Sequence, residues 1–303
     1  MDQTLEISAR QASGLAANTP PDAALRQIVS ECHADLLRFR TVVLLSRREI
    51  GIHQTRVALR RMRAAFGLFR NAVEGAGDRR RLRSLSAEAK WLAGECAPAR
   101  DLQVFLAETV SDVPPVVRRI ANRVARAHLE RARSALSGAR FTAFDRDLTA
   151  FIQAPPASGG RLGDFGRPLL EQRHAKVERR THKLETLDGE RLHRLRIAIK
   201  KLRYAASFLQ PAFGSPTFAP TPANAYIGAT VRLQGALGVL NDRAVAAQMI
   251  ADIAVAARPT EDVAKPLRKL AKQAASGEKQ RRRKLQRAWK RFRAAGRFWK
   301  VTA

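Results

Sequence analysis

The chain has 303 residues, 45% of them hydrophobic, with 56 Lys and Arg against 27 Asp and Glu, a formal net charge of +29 and a pI near 11.6. That length and apolar content make the chain globular, with a sizeable core in one large domain or in two repeats sharing an interface. The charge says nothing about fold; it predicts a polyanionic partner, whether nucleic acid, an anionic membrane or inorganic polyphosphate.

Met1-Asp2-Gln3 opens the chain without a basic n-region or apolar h-region, so no signal peptide is expected, and no apolar run approaches the ~18 residues of a membrane span. Cys32 and Cys96 lack metal-ligand spacing and fit a reducing compartment, which makes a cytoplasmic location the expectation. Neither a metal nor a cofactor is implied.

Residues 1–20 read as a flexible tail ending at Pro20-Pro21, and apolar spacing from Asp22 to about Arg48 predicts the first helix. The second runs from about Ile50 to Val73 and contains His53-Gln-Thr-Arg56-Val-Ala-Leu-Arg60-Arg61-Met-Arg63. On a helical wheel His53, Arg56, Arg60 and Arg63 share roughly a quarter of the circumference, opposite Leu59, Met62, Phe66 and Phe69. A third helix spans Arg79 to about Cys96, where Pro98 breaks it and Arg100-Asp101 opens the next segment. A long helix from Pro115 to Leu136 places Arg119, Arg123, Arg126 and Arg133 on one stripe.

Gln153–Gly166, rich in Pro, Gly and Ser, reads as a linker between a first repeat, 21–152, and a second, 167–303. A helix over 167–186 sets Arg173, Lys176, Arg180 and Lys183 beside Leu170, Val177 and Leu184. The motif then returns as His193-Arg-Leu-Arg196-Ile-Ala-Ile-Lys200-Lys201-Leu-Arg203, with Ile199, Leu202, Ala206 and Leu209 on its apolar side. Leu233–Asp242 matches Leu92–Asp101 at an offset of 141, pairing Asp242 with Asp101. After a Pro-rich loop over 211–222, a last helix over Lys265–Ala295 carries Arg283, Arg287 and Lys290 away from its packing stripe of Leu285, Ala288, Trp289 and Phe292. Strand signals are nearly absent, so the architecture expected is all-α: two pseudo-symmetric helical bundles forming one domain around a basic cleft or pore.

The plain reading of any charge run is a solvated face, but duplication and unmatched charge favour ligand contact for Arg56, Arg60, Arg63, Arg196, Lys200 and Arg203. Arg61 and Lys201, about 80° from their histidines, either flank the site or pair with an acid. His53 and His193 could donate to phosphate, ligate a metal or cap the groove, and a hydrogen-bonding role beside the arginines is preferred over catalysis. Asp101 and Asp242 suit a supporting N-cap or salt bridge.

The paired His-x-x-Arg helices, each followed by an [Arg/Asn]-Asp segment, together with the Phe298-Trp299 ending, resemble the CHAD family of histidine-containing α-helical domains. The resemblance covers about residues 22–300 and is closer in the second copy. It implies a pseudo-twofold helical domain whose basic inner surface binds inorganic polyphosphate without catalysis, with targeting to polyphosphate granules as one purpose. CHAD chains are often fused to a triphosphatase tunnel, but no Glu-x-Glu-x-Lys signature occurs here, so that activity is not carried over. A nucleic-acid-binding helical protein and a His-dependent phosphotransfer enzyme are the alternatives.

Overall fold

The computed structural model describes residues 14–46, 48–73, 75–109, 114–156, 159–214, 221–258, 262–275 and 278–300. The described residues form eleven α-helices and no strand: α1 (Pro21–Leu45), α2 (Glu49–Leu68), α3 (Ala76–Glu95), α4 (Ala97–Thr109), α5 (Pro115–Ser137), α6 (Ala139–Gln153), α7 (Leu162–Arg180), α8 (Gly189–Leu209), α9 (Pro222–Ala256), α10 (Ala264–Ala275) and α11 (Glu278–Ala294). Short 3-10 turns at Leu184–Thr186, Gln210–Phe213 and Phe298–Lys300 complete the chain.

Each motif helix packs on the helix before it, α2 on α1 and α8 on α7, and the two motif helices also pack on each other. Glycine permits both close approaches. A Cβ on Gly51 would lie 3.1 Å from Val42 and Val43 of α1, and one on Gly166 of α7 would lie 3.1 Å from Leu209 of α8. The faces opposite the cations are buried: Leu59, Met62 and Phe66 on α2 with Phe69 at its C-terminal cap, and Ile199, Leu202, Ala206 and Leu209 on α8.

The main core runs through both halves of the sequence, from Leu15 to Trp299. A second core joins Leu102, Phe105, Val117, Ile120, Ala121 and Val124 to Met249, Ile253, Val263, Leu267 and Leu270, again from both halves. The 35-residue α9 spans the two, contributing Tyr226, Leu233 and Leu237 to the first and Met249 and Ile253 to the second.

Three expectations need correction. Residues 14–20 do not belong to a free tail: Leu15 is buried, and the amides of Leu162 and Gly163 donate to the carbonyls of Thr19 (2.9 Å) and Ala17 (3.1 Å). That tie lets α7 begin at Leu162, inside the expected linker, and α7 ends at Arg180, where Lys183 takes a left-handed φ of 53°. The 139–153 and 222–256 segments, unassigned in the sequence reading, are helices. Of the expected last helix, α10 packs into the second core and α11 into the first; positions 276–277 between them lie outside the described residues.

The chain's end is anchored by aromatic packing. Trp299 is fully buried, meets Tyr226 edge-on at 4.9 Å, and donates its indole N–H to Glu171 at 3.0 Å. Arg167 donates to its carbonyl. Trp299→Ala is expected to lower stability by about 3–5 kcal/mol, while Trp289→Ala, at a half-buried ring, costs distinctly less; denaturant unfolding of the two variants measures the difference.

Candidate functional site

The motif stripes of α2 and α8 face each other across a seam. Arg60 of α2 donates its Nε–H to the hydroxyl of Tyr204 on α8 at 2.7 Å, a bond between residues 144 apart in the chain. Lys200 is half-buried beside Arg60 and Arg63 from α2 and Arg196 and Arg203 from its own helix; burial and then these four cations push its ammonium pKa down to about 8. Arg203 is buried, 8% exposed, and its pKa is lowered first by burial, with Arg60 and Arg61 opposing its charge as well. Burial first, and like charge after it, disfavours the protonated Lys200 and Arg203 here.

At the other end of α2, burial together with Arg100, Arg60 and Arg56 holds the half-buried His53 imidazole down near a pKa of about 4. Arg100 comes from α4, next to Asp101. The Asp101 carboxylate lies 3.5 Å from the Arg56 guanidinium, which also donates to the Ala93 carbonyl at 3.4 Å. Asp101 sits in the second turn of α4 rather than at its cap, because α4 restarts at Ala97 with Pro98 in its first turn. Asp242 falls within α9, and its side chain lies outside the described residues.

A second basic wall forms between α7 and α8. Arg173 donates to the Lys201 carbonyl at 3.0 Å and Arg180 to the Arg194 carbonyl at 2.6 Å. Burial, with Arg70 adding to it, lowers Arg173 to about 10. Burial followed by Arg173, Lys176, Arg70 and Arg180 lowers the exposed Lys201. Lys201 therefore flanks this wall among cations, whereas Arg61 is buried toward Cys32 on α1 and leaves the exposed stripe.

Other sequence-selected residues are not brought to the seam by any contact described. Arg123 donates to the Ala256 carbonyl at the end of α9, 3.4 Å away. Its stripe neighbour Arg133 donates to Val43 (2.9 Å) and Ser46 (2.8 Å), satisfying carbonyls at the end of α1. Arg119 is exposed, and Arg126 lines a separate cavity of about 490 Å³ with Glu49, Gln103 and Glu130. Arg283, Arg287 and Lys290 are exposed on α11, which packs on α9 and on the Leu184–Thr186 turn. His193 is exposed, whereas Arg196 is half-buried and acts on Lys200 at the seam.

Sequence reasoning missed Arg100, Arg70 and Tyr204. Arg70 lies just past the end of α2, where a wheel does not apply, whereas Tyr204 lies at i+11 from His193, about 20° away on the wheel, and so was on the stripe. Among the described residues no group of three His, Cys, Asp or Glu is placed to hold a metal ion, and no helix is long and apolar enough to cross a membrane.

Two helices with this repeated cationic motif, packed face to face within an all-α domain, invite comparison with known families. The sequence matches the family description "CHAD domain" over residues 27–251. The chain belongs to the CHAD family. The crystal structure of the CHAD domain from the plant Ricinus communis superposes with a TM-score of 0.78 at 25% identity, covering 94% of this chain and 95% of that one. PptA from Streptomyces chartreusis shares the fold, with a TM-score of 0.59 at 15% identity over 91% of this CHAD chain and 99% of that chain. No curated protein matches the sequence.

The field around His53 has a consequence for folding. The unfolded imidazole takes up a proton near 6.5, the folded one only near 4, so the unfolded state binds more protons in between. Stability is expected to fall as pH drops from 6.5 toward 4. A His53→Gln variant should lose less over that interval, as measured by denaturant midpoints at pH 7 and 4.5, and the His53 ring resonances should titrate near pH 4.

Proposed function

We propose that this CHAD protein binds inorganic polyphosphate along the α2–α8 seam and its α7 flank, as a binding protein rather than a catalyst. The observation that carries the reading is that two motif helices from distant parts of the sequence turn their cations toward one another, with Arg60, Arg63, Arg196 and Arg203 all acting on Lys200. Such an arrangement is unfavourable until an anion enters it. A linear polyanion without bases asks only for charge and hydrogen-bond donors, and arginine forks give both.

How these arginines are held supports the reading. Elsewhere on the surface they are matched with carboxylates, Arg131 with Glu95 at 2.6 Å and Arg140 with Glu88 at 2.7 Å. At the seam and its flank Arg60, Arg173 and Arg180 rest on a tyrosine hydroxyl and two backbone carbonyls. Neutral acceptors orient a guanidinium without cancelling its charge. Asp101, which tethers Arg56, is the carboxylate among the groups acting on that residue. A role at polyphosphate granules in the cytoplasm follows from the proposed ligand.

The test is direct binding of long-chain polyphosphate. Arg56→Glu combined with Arg196→Glu is expected to weaken binding at least a hundredfold with helicity unchanged, and unchanged binding in the folded double variant would sink the proposal. Single-stranded RNA or duplex DNA displacing polyphosphate at equal charge would reassign the protein to nucleic acid. Shortening of the chains on incubation with Mg²⁺ would make it an enzyme.

Protonation offers a second measurement. With Lys200 at about 8 in the free protein, a bound polyanion raises it, so complex formation near pH 8.5 takes up protons and affinity falls as pH rises through 8. Calorimetry in buffers of different ionisation enthalpy reads the uptake, which Lys200→Arg should remove.

A further inference from the structure

The Tyr204 hydroxyl sits where the two motif helices meet. The ring is buried, 6% exposed, and stacks on Phe208 at 5.8 Å with an interplanar angle of 22°, which fixes where the hydroxyl can point. Arg203 lies over the same ring, its guanidinium carbon 4.6 Å from the centroid. From the facing helix Arg60 donates to the hydroxyl oxygen at 2.7 Å. One side chain thus touches cations from both halves of the sequence.

A phenol that accepts an N–H retains one hydrogen to give. The charged neighbours that surround the adjacent Lys200 are Arg60, Arg63, Arg196 and Arg203, all of them donors without an acceptor lone pair. Among the described residues no acceptor for the Tyr204 hydrogen is found. The position is also asymmetric, because Ala64 occupies the matching place after Arg63 in the first motif copy.

We propose that Tyr204 is itself a ligand residue of the seam: its hydroxyl fixes Arg60 through the accepted bond and donates its own hydrogen to a phosphate oxygen of the bound chain. This rests on the polyphosphate reading and adds to it a neutral donor that counting cations does not find. A neutral hydroxyl contributes a hydrogen bond to an anion without releasing a counterion, so its signature differs from that of an arginine.

Tyr204→Phe keeps the ring on Phe208 and under Arg203 and removes only the hydroxyl. Titration with long-chain polyphosphate over a range of salt concentrations, with circular dichroism to verify the fold, is expected to show affinity about tenfold weaker and a salt slope equal to that of the wild type. Arg60→Met, measured alongside, should lower the slope by about one. A folded Tyr204→Phe protein with wild-type affinity overturns the proposal. Weaker binding with a reduced slope overturns the donor role too, since it means that the hydroxyl acts only by holding Arg60 against the ligand. Failure of the wild-type protein to bind polyphosphate overturns the functional reading, and Tyr204's part with it.

Discussion

Packing of α2 against α8 forces cations together, and everything else in the site follows from how the protein sustains that contact. Repulsion between solvated like charges on a helix costs a few tenths of a kcal/mol per pair, more where the groups are half-buried, as Lys200 and Arg56 are. The opposing term is larger. Leu59, Met62, Phe66, Ile199 and Leu202 are buried to within 2% on the other sides of the same helices, and each such side chain contributes roughly 1.5–3 kcal/mol. The apolar faces win, so the charged faces meet whether or not a ligand is present.

The scaffold then supports the seam without neutralising it. Gly51 and Gly166 let α1 and α7 press close behind the motif helices. Shared cores tie the halves together: the second core alone joins α4 and α5 to α9 and α10. These connections keep α4 beside α2, where Arg100 and Asp101 act on His53 and Arg56. The position of a charge in the site is therefore decided by apolar contacts well away from it.

Much of this architecture was legible from periodicity. The motif helices, their buried faces and the all-α class follow from the 3.6-residue repeat of apolar side chains in segments such as 53–69 and 193–209. The long α9 was not, because exposed positions such as Ala247, Ala251, Ala254 and Val255 are as apolar as the buried ones, so no polar face marks its period. Basic stripes misled in the opposite direction. Arg123 and Arg133 look like Arg56 on a wheel, yet they meet carbonyls at helix ends, and a wheel cannot show which acceptor a guanidinium reaches through space. Tyr204 was missed because charge was the criterion, although its register placed it on the stripe.

Duplication of the motif has not produced two equal sites. His53 is half-buried under α4, whereas His193 is exposed on α8, so equivalent letters stand in different surroundings. The difference bears on what the motif histidine can do. A general base near neutral pH needs an imidazole that accepts a proton readily, and burial, then the guanidiniums of Arg100, Arg60 and Arg56, oppose that charge on His53. A neutral imidazole still has one N–H to give. On the proposed polyphosphate reading the motif's histidine is suited to donating toward an anion, and its burial beside the arginines that would bring the anion to it is what makes it a poor base.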